Sequence, residues 1–255
     1  SIYKIEEYEH THENQQFREL CNILKARFGK TSEHNVLLAN INFNGIPLDA
    51  LLIKRDAIIV LEFKNYGGKV IAAENGDWTL SDGTVVKGGM NKNPYQQVRN
   101  NKFATIENFN TWFPHPYVNL YHTSGIVIFN QDVEIDDSHI SSKVKTWFHI
   151  TDMKHIGDLL EDITSPKINF GNEDLDKLPE IFNCSDKLIE TTVSKSSAVV
   201  STQKVSQKAN VQSNNITRSA NYPVDLFDRV ENALRTSDFN ILYKFVKPEK
   251  KARFQ

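Results

Sequence analysis

Three ionisable residues stand where charge is costly. Asp49 lies in a strand-like stretch, Ile46 to Ile53, and the run Ala57-Ile58-Ile59-Val60-Leu61-Glu62-Phe63-Lys64 carries Glu62 and Lys64 at the end of a continuous apolar segment. Side chains alternate along a strand, so Glu62 and Lys64 share one face while Leu61 and Phe63 take the other. A neighbouring strand can put Asp49 beside Glu62. Two carboxylates and the main-chain carbonyl of Phe63 form an oxygen-rich set suited to a hard divalent cation such as Mg2+. Lys64 could orient a water or stabilise charge developing on a phosphate. Charges at the end of an apolar strand are expensive unless paired or metal-bound. The same residues could instead make a buried Asp–Lys–Glu ion pair, or mark where the strand emerges into solvent. The D-x(12)-E-x-K spacing leaves both open.

The elements that must hold these residues are legible from periodicity. Glu13 to Phe28 places Phe17, Leu20, Cys21, Leu24 and Phe28 on a helical stripe, with Gly29 as a stop. Val36 to Phe43 and Ile46 to Ile53 alternate like strands around Asn44-Gly45, a strong hairpin signal. Ala57 to Phe63 is apolar throughout, as in a central strand covered on both faces. Lys69 to Ala73 and Asp77 to Leu80 flank Asn75-Gly76 as a smaller hairpin. Asn93-Pro94 opens a helix with a capping residue and a first-turn proline. Its apolar positions include Tyr95, Val98, Ile106 and Phe109. Two further strands, Gly125 to Phe129 and Lys145 to Ile150, precede an amphipathic helix from Asp152 to Ile163. The predicted class is mixed α/β, in the order helix, three strands, hairpin, helix, strand, strand, helix.

Composition bounds the function. The chain has 255 residues, 24% of them charged and a net charge of −2, enough for a substantial core. No apolar run reaches the ~18 residues of a membrane helix. The first residues, SIYKIEEYEH, lack a basic start and an apolar stretch, so the expected setting is soluble and cytoplasmic. Two cysteines without C-x-x-C spacing exclude disulfide and zinc-finger scaffolds. All 11 glycines lie at or before Gly171. Residues 193–221 contain neither an aromatic nor an acidic residue. The expected organisation is a domain over 1–182, a linker over 183–221 and a short helical segment over 222–255, with more protein to follow.

Weaker signals are mostly set aside. His10-x-His12 does not extend to H-E-x-x-H, because position 16 is Gln16. Gly29-Lys30-Thr31 lacks the earlier glycine of a phosphate loop. Trp78, Trp112 and Trp147 are expected in the core. Lys87, Lys92, Arg99 and Lys102 surround the start of the second helix and could contact a nucleic-acid backbone, although four basic side chains there would also be ordinary surface.

Taken together, Leu48-Asp49-Ala50, Glu62-Phe63-Lys64-Asn65, Gly68, Trp78 and Asn93-Pro94-Tyr95-Gln96-Gln97-Val98 resemble the nuclease-related domain, NERD, of the PD-(D/E)xK nuclease superfamily. The resemblance spans roughly residues 10–130. It implies a restriction-endonuclease-like αβββαβ core, with a mixed central sheet flanked by helices and a Mg2+- or Mn2+-dependent phosphodiesterase site. By the same resemblance Asp49, Glu62 and the Phe63 carbonyl would hold the metal, and Lys64 would position the attacking water. Gln97 would order the metal–water network or a phosphate, and Glu13 is the best match to a glutamate near the start of the first helix. Asn101 stands where some members carry a tyrosine. The substrate expected is DNA, with RNA second. The expected setting is bacterial DNA processing or phage defence, with a C-terminal helicase or other ATPase module, or a second copy, as partner. A catalytically silent nucleic-acid-binding or assembly module on the same fold is the alternative.

Overall fold

A computed structural model of the chain describes residues 1–32, 34–89 and 92–184. The expected helical segment and nearly all of the expected linker lie outside the described residues. The described elements, in order, are β1 (Ile2–Lys4), α1 (Thr11–Phe28), β2 (Val36–Phe43), β3 (Ile46–Lys54), β4 (Ala57–Lys64), β5 (Gly68–Ala73), β6 (Trp78–Leu80), β7 (Val85–Val86), α2 (Pro94–Trp112), β8 (Ser124–Phe129), β9 (Val133–His139), α3 (Ser142–Lys145), β10 (Phe148–Asp152), α4 (Ile156–Asp162) and α5 (Asn172–Ile181).

Six strands form the main sheet in the order β1-β2-β3-β4-β8-β10. The β2–β3–β4 meander is antiparallel, whereas β4, β8 and β10 run parallel. Asn44 and Gly45 both take positive φ, 55° and 87°, as the tight β2–β3 hairpin requires. β4 is buried along its whole length, so its apolar run reads correctly as a central strand. One face of the sheet packs Leu61, Phe63, Ile126 and Ile128 against Phe17, Leu20 and Leu24 of α1, with α4 beside them. The other packs Val60, Val127 and Phe129 against Val98 and Phe109 of α2. A Cβ on Gly125 would collide with Val98, so this glycine lets α2 lie close on β8.

A second sheet, in the order β7-β6-β5-β9, stands beside the first. Trp78 is fully buried there, and its indole N–H donates to the Ala73 carbonyl at 2.7 Å. Asn93 fastens this sheet to α2. Its side-chain oxygen caps the helix by accepting from the Gln96 N–H at 2.8 Å. Its amide nitrogen donates to the carbonyls of Ala73, Glu74 and Gly76 at 3.3, 3.2 and 2.8 Å.

Several elements depart from the sequence reading. β1, β9 and α5 were not anticipated: β1 is three residues long, and β9 (VEIDDSH) is too polar to show apolar alternation. The strand expected at 145–150 begins only at Phe148, because Ser141 caps a short helix, α3, just before it. The helix expected at 152–163 begins at Ile156, since the Asp152 carboxylate accepts from the Lys154 and His155 N–H groups in a turn. Trp112 is 64% exposed at the end of α2 and is not a core residue.

Asn93 is both cap and clamp, so Asn93→Ala is expected to cost about 2 kcal/mol. Asp caps helices as well as Asn does, but it cannot donate to three carbonyls. Asn93→Asp should therefore also destabilise, and urea denaturation of both variants checks this. An Asp variant as stable as the parent would reduce Asn93 to an ordinary cap.

Candidate active site

The site lies where β3, β4 and the first turns of α2 meet. Along β4, Leu61 and Phe63 turn toward α1, which leaves Glu62 and Lys64 on the α2 face. Both are buried, with 2% and 8% exposure. The Lys64 ammonium donates to Glu62 Oε1 at 2.7 Å and to Gln97 Oε1 at 3.2 Å. Gln97 Oε1 also accepts from the Gly89 N–H at 2.6 Å, which ties the loop before α2 to the site. Asn101, one helical turn beyond Gln97, donates to Glu62 Oε2 at 3.4 Å. The residue that departs from the tyrosine-bearing pattern thus supports the glutamate directly.

Asp49 arrives through an irregularity in the sheet. The β3–β4 ladder ends at Ala50 opposite Leu61, so the next residues in register are Asp49 and Glu62. On the other side, Asn40 sits opposite Asp49 with a left-handed φ of 50°, and its amide donates to the carbonyls of Glu6 and Glu7. The Tyr8 hydroxyl donates to the Asp49 carbonyl at 2.6 Å. With its backbone held this way, the Asp49 carboxylate accepts from the Phe63 N–H at 2.7 Å.

Electrostatics follows from burial. The Asp49 carboxyl titrates well above its usual value, first because it is desolvated and then because Glu62 repels it. Burial likewise raises Glu62, with Lys64 opposing the shift. For Lys64, burial alone would lower the ammonium, but the Glu62 and Asp49 carboxylates together outweigh it and hold the amine protonated.

The remaining sequence candidates divide. Glu13 is half-buried in the first turn of α1, and its charge helps raise both Asp49 and Glu62. Lys87 is exposed and Lys92 half-buried, both on the loop fastened by Gly89. Arg99 and Lys102 are buried instead of lining a surface. Arg99 stacks on Phe103, and the Lys102 ammonium lies 4.1 Å from the centre of the Trp147 ring. Sequence reasoning missed Tyr8, Asn40 and Gln16. Gln16 is fully buried and donates to the Ile128 carbonyl at 2.9 Å, while its Oε1 has no hydrogen-bond partner among the described residues. Its position within the buried stripe of α1, a polar residue next to Phe17, was the available signal.

Could this site hold a divalent cation? Among the described residues no group of three or more His, Cys, Asp and Glu side chains is placed to do so. The available set is two carboxylates and a main-chain carbonyl, all hard oxygen donors. That suits Mg2+, which binds through one or two carboxylates and keeps several waters. A cation would also offset the burial that raises both carboxyl groups.

A mixed sheet between helices, carrying Asp and Glu-x-Lys on two adjacent interior strands, is consistent with a nuclease-like core. Residues 10–130 match the family model of the nuclease-related domain, NERD. No curated protein and no solved structure matches the chain. Among the described residues no helix is long and apolar enough to cross a membrane.

The Asp49 carboxyl gives a test of this electrostatic picture. Its folded value lies above its unfolded one, so between the two the folded state binds more protons and stability rises as pH falls. Asp49→Asn removes the buried charge and keeps an oxygen for the Phe63 N–H. In the absence of divalent cations the variant should melt higher than the parent at neutral pH. The difference should shrink as pH falls toward the ordinary carboxylate range. A pH-independent difference in melting temperature would contradict the cause given for the shift.

Proposed function

We propose that this domain is a metal-dependent nuclease that hydrolyses phosphodiester bonds in DNA, with RNA as the second candidate. One observation carries the reading: Lys64 bridges Glu62 and Gln97, with Asp49 in register beside Glu62. An ion pair serving stability alone has no need of a glutamine from another element or of a second carboxylate from the neighbouring strand. Replacing such pairs by apolar residues is often neutral or stabilising.

The roles follow from the geometry. Asp49, Glu62 and the Phe63 carbonyl would hold Mg2+ or Mn2+. The bound ion would lower the pKa of a water and offset charge on the phosphate. Lys64 donates to both Glu62 and Gln97, so it would act as a donor that orients the water or stabilises charge on the phosphate oxygens. Gln97 fixes the ammonium and couples it to the loop carrying Lys87 and Lys92, whose charges can meet the substrate backbone. Asn101 keeps Glu62 oriented.

The test is cleavage of supercoiled and linear DNA with Mg2+ or Mn2+ by the parent, Glu62→Ala and Lys64→Ala. The parent should cut, chelator should stop it, and each variant should lose about 100-fold or more. Equal cutting by all three would remove these residues from the mechanism. No cutting by any, with DNA bound independently of metal, would favour the silent binding module.

Cation binding should also be visible without catalysis. Mg2+ should raise the melting temperature of the parent in a concentration-dependent way. The same titration should leave Asp49→Asn almost unmoved. An equal shift in both would place the ion elsewhere.

A further inference from the structure

The opposite end of α2 carries a second concave surface. A cavity of about 600 Å3 opens between the end of this helix, the segment 116–121 and the segment 166–169. Tyr117 and Tyr121 stand in it with 74% and 45% exposure. Asn110, Asn119, Asn169 and Lys167 supply its polar groups, and none of the described residues that line it is acidic.

The scaffold beneath the aromatic rings is fixed. Asn119 joins the two segments, its N–H donating to the Lys167 carbonyl at 2.7 Å and its side-chain oxygen accepting from the Tyr121 N–H at 3.1 Å. His115 accepts from the Tyr117 N–H at 3.3 Å through Nδ1 and faces Asp174 with Nε2 at 3.1 Å. Tyr117 is therefore an exposed ring on a held backbone. Trp112 adds another exposed ring at the end of the same helix. Burial, then the charges of Lys102 and Lys167, hold the nearby His122 imidazole below its usual value.

Exposed aromatic faces offer stacking to any base, carboxamides offer hydrogen bonds to base edges, and lysine offers a phosphate contact. We propose that this cavity binds unpaired bases of a nucleic-acid strand, so that the domain takes substrates with a single-stranded portion. The proposal rests on the nuclease reading for its meaning but not for its measurement. Asn110 and Gln97 are thirteen residues apart on one helix, which puts the cavity ~20 Å from the candidate active site. A strand at helical spacing covers that with about six nucleotides.

The experiment is fluorescence anisotropy with a labelled 15-nucleotide oligothymidine and a 15-base-pair duplex, in chelator so that no cleavage intervenes. The parent should prefer the single strand. Tyr117→Ala and Tyr121→Ala should each weaken that binding about 5- to 100-fold, the range for losing one stacked base. Tyr117→Phe should restore it, and duplex binding should be unchanged. Equal single-strand affinity in the parent and both alanine variants overturns the proposal, as does a parent that prefers duplex. Concentration-dependent self-association lost in the alanine variants would also overturn it, by making the surface a contact between copies. If the parent binds the oligonucleotide in this way while no cleavage is ever seen, the nuclease reading fails and this site stands.

Discussion

The hydrogen bond from the Phe63 N–H to the Asp49 carboxylate decides the rest of the site. β4 continues past the last paired residue of β3, and its Phe63 N–H is met by a side chain where a strand would offer a carbonyl. A single contact thereby ends a ladder, satisfies a buried N–H and delivers a carboxylate beside Glu62. The irregularity needs support from outside the two strands. Asn40 supplies it by taking a left-handed conformation, and Tyr8 by holding the Asp49 carbonyl. Tyr8 in turn packs on Phe17 of α1 and on Phe63 itself. The aromatic residue that precedes α1 thus helps set the reach of an aspartate 41 positions later.

Charge is concentrated here under conditions that make it costly. Two carboxylates and one ammonium are enclosed together, and the ammonium alone does not restore both carboxyl groups to their usual acidity. Such imbalance is typical of sites tuned for chemistry more than for stability. Lys64 is shared between Glu62 and Gln97, two groups from different elements. Anything that binds at these residues must compete with those contacts or replace them.

Much of this was legible because it rests on short-range regularities. Alternation along β4 put Glu62 and Lys64 on one face, Asn-Gly marked the first hairpin and Asn-Pro marked the start of α2. Tyr8 and Asn40 were not legible, because their roles depend on a distortion that leaves no periodic trace. The burial of Arg99 and Lys102 was hidden for another reason. A basic residue reads as surface until the tertiary fold supplies a ring to cover it, as Phe103 and Trp147 do. The exposure of Trp112 is the converse, a large apolar ring at a helix end where no layer covers it. β1 and β9 were missed because one is very short and the other polar; both lie at a sheet edge, where burial imposes little pattern.

Asn93 has a consequence for how such a domain can change over generations. Its four hydrogen bonds fasten the first turn of α2 to the β5–β6 hairpin and bypass the intervening residues 81–92. Gln97 is positioned by that shortcut as well as by the packing of Val98 on Gly125. Within that stretch Val86 is held in the core and Gly89 on Gln97, but exposed side chains such as Lys87 can change charge without displacing the helix. A lineage could exchange what the entrance recognises while inheriting the site unaltered.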